Sequence, residues 1–278
     1  MAVKAITGDQ AVAYGAMLAR AEVVPGFPIT PQTIIIEQIT EFINDGIMDA
    51  DFIPAESEHS VMSVAVGASA GGVRTFTATS SQGLALMYEM LFAAAPIRLP
   101  VVMAVANRSV GGASGIWTEH NDSVPVRESG WLQVYVEDCQ EALDMTIQAF
   151  RIAEDRRVML PIMVCLDGFI LSHVVEGVDI PEQEVVDRFL PKLAPLNTLD
   201  PYDPVMMNPI TPPEFATEMR YQQDRAMEAA QTIAIPHDRQ VLHAIPRGYI
   251  IDGQDGVRDP IGMIGYRLEV ETHIVTAS

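Results

Sequence analysis

Leu99-Pro100-Val101-Val102-Met103-Ala104-Val105-Ala106 is an unbroken run of apolar residues near the middle of the chain. Its length suits a β-strand, and a strand that is apolar on both faces is typical of a parallel sheet covered by helices on each side. Residues 158–166 form a second run of the same kind. These two segments therefore predict the centre of an α/β sheet.

Helical and strand-like patterns alternate on both sides of this centre, over residues 1–170. Strands that are separated by helices pair in parallel, so we predict a three-layer αβα fold with a mostly parallel sheet. In such a sheet, ligands bind beyond the carboxyl ends of the strands. Helices are predicted at 10–21, 32–43, 57–71, 83–95 and 141–154, and strands at 23–24, 73–79, 99–106, 131–136 and 158–166.

The pattern changes after residue 170. Prolines are frequent over 171–228, and helical spacing returns only at 213–230, so we predict a proline-rich arm laid over a surface. Beyond it, short strands are predicted at the end of the chain. We divide the chain into a domain at 1–170, an arm at 171–229 and a small β-rich segment at 230–278. The strands predicted in that last segment are 241–245, 249–251 and 267–276.

The bulk composition excludes several classes of partner. The 278 residues carry a net charge of −20, which argues against nucleic acid or an anionic membrane surface. Cys139 and Cys165 are far apart and lack metal-ligand spacing, so we expect any iron–sulfur cluster to lie on another chain. We find no signal-peptide pattern and no apolar run long enough to span a bilayer, and we expect a cytoplasmic protein.

Residues 54–60, Pro-Ala-Glu-Ser-Glu-His-Ser, predict a strand end, a tight turn and a helix that starts near Ser57. Glu56 or Glu58 in the first helical turn would be favourable simply because carboxylates stabilise helix starts. Alternatively, one of them is held at a buried site, where apolar surroundings raise a carboxyl pKa and allow proton exchange with a ligand. The local sequence leaves both readings open.

Two further loops carry polar groups beyond predicted strands. Thr30 stands between two prolines in Phe27-Pro28-Ile29-Thr30-Pro31, which either presents its hydroxyl rigidly or caps the next helix. Arg108 follows the central strand, where a guanidinium suits a carboxylate ligand, although an arginine in such a loop is more often simply a surface residue.

The remaining polar loops are ambiguous. Thr79-Ser80-Ser81-Gln82-Gly83 offers hydroxyl and backbone N–H groups to an anion, or merely caps a helix. Glu119-His120-Asn121-Asp122-Ser123 gathers several polar side chains in one loop. His120 and Asp122 are possible metal ligands, but their spacing suits a turn better, and we predict no metal here.

Taken in order, the motifs at 27–31, 56–60, 79–87, 107–109 and 119–123 closely resemble those of the alpha subunit of 2-oxoacid:ferredoxin oxidoreductases, above all the pyruvate enzyme. The similarity covers residues 1 to about 229. The resemblance implies a thiamine-diphosphate-binding fold in which this chain supplies the pyrimidine-side domain. It further implies that Glu58 hydrogen-bonds the aminopyrimidine ring, and that Thr30 and Arg108 contact the 2-oxoacid substrate.

The resemblance also implies the partners of the chain. A beta subunit supplies the diphosphate and magnesium side, and the absence of a Gly-Asp-Gly motif in this chain agrees with that division. A ferredoxin-like iron–sulfur subunit receives electrons from the oxidative decarboxylation, and coenzyme A receives the acyl group. The implied enzyme class is therefore an oxidoreductase acting on pyruvate, EC 1.2.7 in type, that is inactive without its partner subunits.

The chain departs from this family pattern in two places. Trp117-Thr118-Glu119 precedes His120, where relatives favour an aspartate next to the histidine. Residues from about 230, including 252–263, resemble a subdomain of the bacterial actin-like cell-division protein instead of the second α/β domain of the family. A chimera explains this most simply. The alternative function is therefore a non-catalytic chimeric or interaction protein, whose unpaired C-terminal strands associate with a partner.

Overall fold

The computed structural model describes residues 2–111, 115–207, 210–233, 249–252 and 256–258. In chain order the elements are β1 (Ala2–Thr7), α1 (Gly8–Leu18), β2 (Val23–Gly26), α2 (Thr33–Asn44), β3 (Asp51–Pro54), α3 (Glu58–Ala70), β4 (Phe76–Thr79), α4 (Ser81–Leu86), α5 (Tyr88–Ala94), β5 (Val102–Asn107), a 3-10 helix (Val124–Ser129), β6 (Leu132–Tyr135), α6 (Cys139–Ala153), β7 (Ile162–Asp167), β8 (Val175–Ile180), α7 (Gln183–Phe189), α8 (Pro213–Ile233), β9 (Tyr249–Asp252) and β10 (Gly256–Arg258).

The main sheet has the strand order β10-β9-β6-β7-β5-β4. Strands β4, β5, β6 and β7 are parallel, and β9 adds to the β6 edge in antiparallel orientation. A parallel pair, β2 and β3, continues beyond β4 through a bridge between Val23 and Thr75. The mostly parallel sheet predicted from the alternating pattern is therefore confirmed.

Strand β5 shows why the sheet is covered on both faces. Alternate side chains of a strand point to opposite faces of the sheet. All six residues of β5 are buried, so both faces are covered here. Val102, Ala104 and Ala106 pack into one apolar core with α1, α2 and α6. Met103 and Val105 pack into a second core with α3, α4 and α5. The three-layer αβα architecture is confirmed, and the unbroken apolar run is its cause.

Several elements escape the sequence prediction. Strand β1 pairs with β8 along its whole length, from Ala2 opposite Ile180 to Thr7 opposite Val175. Both β8 and α7 lie inside the segment predicted as an arm, yet Val178 and Val186 are buried in the main core. The predicted helix at 83–95 is in fact two helices, α4 and α5, which meet at Met87.

The division at residues 170 and 229 stays a prediction. Of the strands predicted near the end of the chain, 249–251 lies within β9, whereas those at 241–245 and 267–276 fall outside the described residues.

A buried ion pair holds the amino-terminal edge of the parallel sheet. Arg74 Nε and Nη2 each donate to the Glu154 carboxylate at 2.6 Å, and the two side chains are only 5% and 7% exposed. Arg74 also donates to the backbone oxygens of Ala19 and Pro191. Burial raises the pKa of Glu154, whereas Arg74 works against that shift. One guanidinium thus joins the end of α1, the end of α6 and the segment after α7.

Replacing Glu154 with Gln is expected to lower the free energy of unfolding of the full chain by about 3–5 kcal/mol, because Arg74 would stay buried with an unpaired charge. Urea unfolding measures this loss. The matched control is Glu228→Gln, which removes an exposed pair with Arg225 on α8 and should cost about 1 kcal/mol or less. Equal losses in the two variants would contradict the role assigned to the buried pair.

Candidate active site

The loops singled out in the sequence meet at the carboxyl edge of the sheet. Gly26 and Pro54 are paired at the ends of the parallel strands β2 and β3, and Ala55 N donates to Gly26 O at 3.2 Å. The loops at 27–31 and 54–58 are therefore neighbours. Asn107 ends β5 two strands away, so the loop that begins at Arg108 leaves from the same edge.

Glu56 and Glu58 lie in different surroundings. Ser57 caps helix α3 by accepting a hydrogen bond from Ser60 N, and Glu58 is the first helical residue. Glu58 is buried, with 7% of its surface exposed. Glu56 is exposed and accepts a hydrogen bond from Ser60 Oγ at 2.6 Å, which lowers its pKa. Only Glu58 therefore has the burial expected of a carboxyl held at a site.

Glycine at position 83 makes room for Glu58. A Cβ at that position would lie 2.7 Å from Glu58 Oε1 and 2.4 Å from Thr79 Oγ1, both shorter than real Cβ contacts allow. Among the residues that the structure describes, the Glu58 carboxylate has no hydrogen bond or ion pair. The Thr79 hydroxyl is buried and likewise has no partner there. A donor and an acceptor thus remain available around one glycine.

The buried carboxylate of Asp122 ties the edge together. Oδ2 accepts from the backbone N–H groups of Ser81 at 3.1 Å and Arg108 at 2.9 Å. Oδ1 accepts from Asn107 Nδ2 at 2.8 Å and from Ser123 N at 2.7 Å. Burial raises the pKa of Asp122, and the four donors oppose that shift. This one side chain therefore fixes the ends of β4 and β5 relative to the loop that carries it.

Other residues of the same loop reach further strands. His120 Nε2 lies 2.9 Å from Asp167 Oδ1 at the end of β7, and Ser123 Oγ lies 2.9 Å from the Tyr135 hydroxyl on β6. Within the described ranges, no three His, Cys, Asp or Glu side chains are placed to hold a metal ion. Both Asp122 oxygens are already used by protein donors, so the loop has a structural function.

Arg108 and Thr30 come together although they are 78 positions apart in sequence. Arg108 Nη1 donates to Thr30 O at 2.9 Å, and Nε reaches Gly115 O at 3.4 Å. Helix α2 begins only at Thr33 with Gln32 as its N-cap, so Thr30 does not cap it. The exposed Thr30 side chain and the half-buried guanidinium therefore stand side by side at the edge.

The capping interpretation of 79–83 is wrong in detail. Ser80 is the N-cap of α4 but makes no side-chain capping bond, whereas Ser81 Oγ donates to Ser109 O at 2.6 Å. From sequence alone, Thr79 and Gly83 are members of a run that meets an anion or caps a helix, and Asp122 is a possible metal ligand in a turn. The pattern places these residues in the loops but does not reveal their partners.

Two cavities of about 400 Å³ each lie elsewhere. Arg74 and Asp49 line the first and precede strands β4 and β3, while Pro100 and Met159 line the second and precede β5 and β7. Both cavities are therefore at the amino-terminal edge of the sheet. Ligands of parallel α/β sheets bind at the opposite edge, where the polar loops meet.

Comparison with known proteins identifies the fold. Residues 14–237 match the family model described as pyruvate flavodoxin/ferredoxin oxidoreductase, thiamine diphosphate-binding. Among solved structures, 2-oxoglutarate:ferredoxin oxidoreductase from Magnetococcus marinus, with 2-oxoglutarate, coenzyme A and succinyl-CoA bound, is similar in fold. Its TM-score is 0.70 at 21% identity, over 83% of this chain and 45% of that chain.

Two curated relatives are much closer in sequence. The pyruvate synthase subunit PorA of Methanothermobacter thermautotrophicus is 53% identical over 249 residues, which is 90% of this chain and 65% of the relative. The PorA of Methanocaldococcus jannaschii is also 53% identical, over 94% of this chain and 70% of the relative. The chain thus spans about two thirds of the length of these relatives.

A second family model, described as the SHS2 domain inserted in FTSA, matches residues 220–276. This match agrees with the sequence resemblance noted for the C-terminal segment. The match to the Methanocaldococcus jannaschii protein covers 94% of the chain, so it also extends beyond residue 237. No helix in the described part of the chain has the length and apolarity needed to cross a membrane.

Replacing Asp122 with Asn is expected to destabilise the full chain by about 3 kcal/mol or more, because an amide NH₂ would face two donors and the buried charge-assisted bonds would be lost. Thermal and urea unfolding measure the change. Asp203→Asn, an exposed substitution on the surface of the arm, is the control and should leave stability within about 0.5 kcal/mol of the original. An unfolding free energy as high in Asp122→Asn as in this control would contradict the organising role of Asp122.

Proposed function

The chain belongs to the thiamine diphosphate-binding family of pyruvate flavodoxin/ferredoxin oxidoreductases, and on that premise we propose that it is the alpha subunit of a 2-oxoacid:ferredoxin oxidoreductase that acts on pyruvate. The observation that carries the proposal is Glu58. It is a buried carboxyl at the start of α3, it faces a glycine, and no described residue satisfies it.

The residues at this edge fit the pyrimidine side of thiamine diphosphate. Glu58 would hold the ring through a proton at its carboxylate, and Gly83 leaves the space that this side chain occupies. When bound, the cofactor supplies the nucleophilic carbon and the electron sink for decarboxylation of a 2-oxoacid. The contribution of Glu58 is to hold and move a proton at Oε1 or Oε2, as a general acid–base group.

Arg108 and Thr30 are proposed to bind the substrate. A guanidinium matches the carboxylate of a 2-oxoacid, and a hydroxyl can donate to its keto oxygen. The contact between Arg108 Nη1 and the backbone oxygen of Thr30 supports this assignment because it brings the two residues together. Asp122 accepts a hydrogen bond from the backbone N–H of Arg108 and thereby fixes the point from which the guanidinium extends.

The other half of the site is proposed to lie on a beta subunit that binds the diphosphate and its magnesium ion. This chain has no Gly-Asp-Gly sequence, and the names of its relatives describe subunits. Iron–sulfur clusters are assigned to a ferredoxin-like subunit, because Cys139 and Cys165 are both buried and burial raises the pKa of Cys139 to about 12. Coenzyme A is proposed as the acyl acceptor, and the cytoplasm as the location.

A second candidate is a non-catalytic interaction protein with a chimeric C-terminal segment. The match of residues 220–276 to the SHS2 model favours it. The two candidates differ in one observation, which is whether a beta-type chain with the diphosphate-binding motif co-purifies with the full chain. Co-purification followed by pyruvate-dependent reduction of ferredoxin supports the enzyme.

In the complex with its beta-type partner, Glu58→Gln should reduce kcat for oxidative decarboxylation by roughly 10²–10⁴-fold, because the amide cannot exchange a proton. Ferredoxin reduction with saturating pyruvate measures kcat. Glu56→Gln is the matched control, since this exposed carboxylate two residues earlier makes only a local hydrogen bond. Near-normal activity of Glu58→Gln would remove this residue from the proposed mechanism.

Arg108→Ala should raise the KM for pyruvate about tenfold to a hundredfold with a smaller effect on kcat, because a charged hydrogen bond to the substrate carboxylate is lost. Arg108→Lys keeps the charge but not the planar guanidinium. Its KM for pyruvate should therefore lie between that of the original and that of Arg108→Ala. Arg156→Ala, at an exposed position before β7, serves as the control. An unchanged KM in Arg108→Ala would exclude this guanidinium from the substrate site.

A further inference from the structure

Strand β4 carries two buried threonines that differ in one respect. Thr77 and Thr79 are two positions apart, so their side chains point to the same face of the sheet. Both are fully buried. Thr77 Oγ1 donates to Pro25 O at 2.8 Å, whereas Thr79 Oγ1 has no partner among the described residues.

A buried hydroxyl without a partner lowers stability, because it has lost its hydrogen bonds to water and gained none in return. Valine has the same shape as threonine and would avoid that loss. A threonine at position 79 is therefore not explained by packing. It is explained if the hydroxyl gains a partner in another state of the site.

The carboxylate of Glu58 is the acceptor placed to be that partner. Both Thr79 Oγ1 and Glu58 Oε1 border Gly83, at 2.4 and 2.7 Å from the point where its Cβ would stand. Glu58 likewise has no hydrogen bond or ion pair within the described ranges. Hydrogen bonds at catalytic groups often form fully only in the ligand-bound state, so the missing bond between the two groups in the ligand-free chain does not exclude the pair.

We propose that Thr79 is a positioning residue for Glu58, and that its hydroxyl donates a hydrogen bond to the Glu58 carboxylate when the pyrimidine side of the cofactor is bound. One carboxylate oxygen is then held by Thr79, and the other is directed to the ligand. A donor to the ionised form also favours that form over the neutral acid. This inference rests on the proposed function, since it assigns the orientation of Glu58 to a second residue.

Three substitutions separate this role from packing. Thr79→Val removes the hydroxyl and keeps the shape, whereas Thr79→Ser keeps the hydroxyl. Thr77→Val removes a hydroxyl that has a partner, so it reports the purely structural effect. Ser80→Ala removes a buried, unpartnered hydroxyl that points the other way, because the backbone of Ser80 is extended with φ −159° and ψ 148°.

The full chain is studied in complex with its beta-type partner by calorimetric titration with thiamine diphosphate, and separately by urea unfolding. In Thr79→Val we expect the Kd for thiamine diphosphate to rise about tenfold, while the unfolding midpoint stays the same or rises. Thr79→Ser should restore the original Kd. Thr77→Val should lower the unfolding midpoint with little change in Kd. Ser80→Ala should leave Kd unchanged, with an unfolding midpoint that stays the same or rises.

The possible results are decisive in different ways. A Kd of Thr79→Val that equals that of the original, while Glu58→Gln is impaired, would overturn the inference and leave the proposed function intact. A loss of stability in Thr79→Val as large as that in Thr77→Val would also overturn it, since the hydroxyl would then serve packing. If Glu58→Gln itself has normal binding and activity, the proposed function fails, and the inference fails with it.

Discussion

The carboxylate of Asp122 is the constraint on which the carboxyl edge of this protein depends. Its two oxygens accept four hydrogen bonds, from the ends of β4 and β5 and from its own loop. Parallel strands end in loops that have no ladder to hold them, so their relative positions require side-chain contacts. A buried carboxylate is suited to this because it accepts several N–H groups at once. Arg108 and the segment that leads to Gly83 are both positioned through it.

The polar groups of the edge fall into two classes. Asp122, Asn107 Nδ2 and Thr77 have their hydrogen bonds supplied by the protein, and they hold the backbone in place. Glu58 and the Thr79 hydroxyl lack partners within the described ranges, and they border the same glycine. A buried polar group without a partner calls for an explanation, and at this edge a bound ligand supplies one. In the described part of the chain, Asp9 and Gln148 also carry buried atoms without hydrogen-bond partners, so it is the meeting of Glu58 and Thr79 at one glycine that distinguishes the candidate site.

The two edges of the sheet are built differently. The amino-terminal edge is closed by the buried pair of Arg74 and Glu154, which binds three segments of the chain together. The carboxyl edge presents Thr30 and Arg108 on loops and Glu58 at the start of α3. The amino-terminal edge is thus closed by protein contacts, whereas the carboxyl edge carries the polar side chains of the candidate site. This difference suits a subunit whose active site is completed by another chain. This arrangement agrees with the proposed division of the cofactor between two subunits.

The sequence by itself determined the layers of the fold, because the alternation of helical and strand-like patterns is a local property. The central strands are apolar without interruption, which predicts that helices cover both faces of the sheet. It also marked the loops of the site through the order of their motifs, although the local sequence left Glu56 and Glu58 equivalent. Only the tertiary structure decided that Glu58 is buried and Glu56 exposed, that Arg108 meets Thr30 and that β1 pairs with β8. These contacts join residues far apart in the chain. Their hydrogen bonds and burial depend on how the packed layers bring the strand ends together. No local sequence pattern encodes the distance between residues on different strand ends.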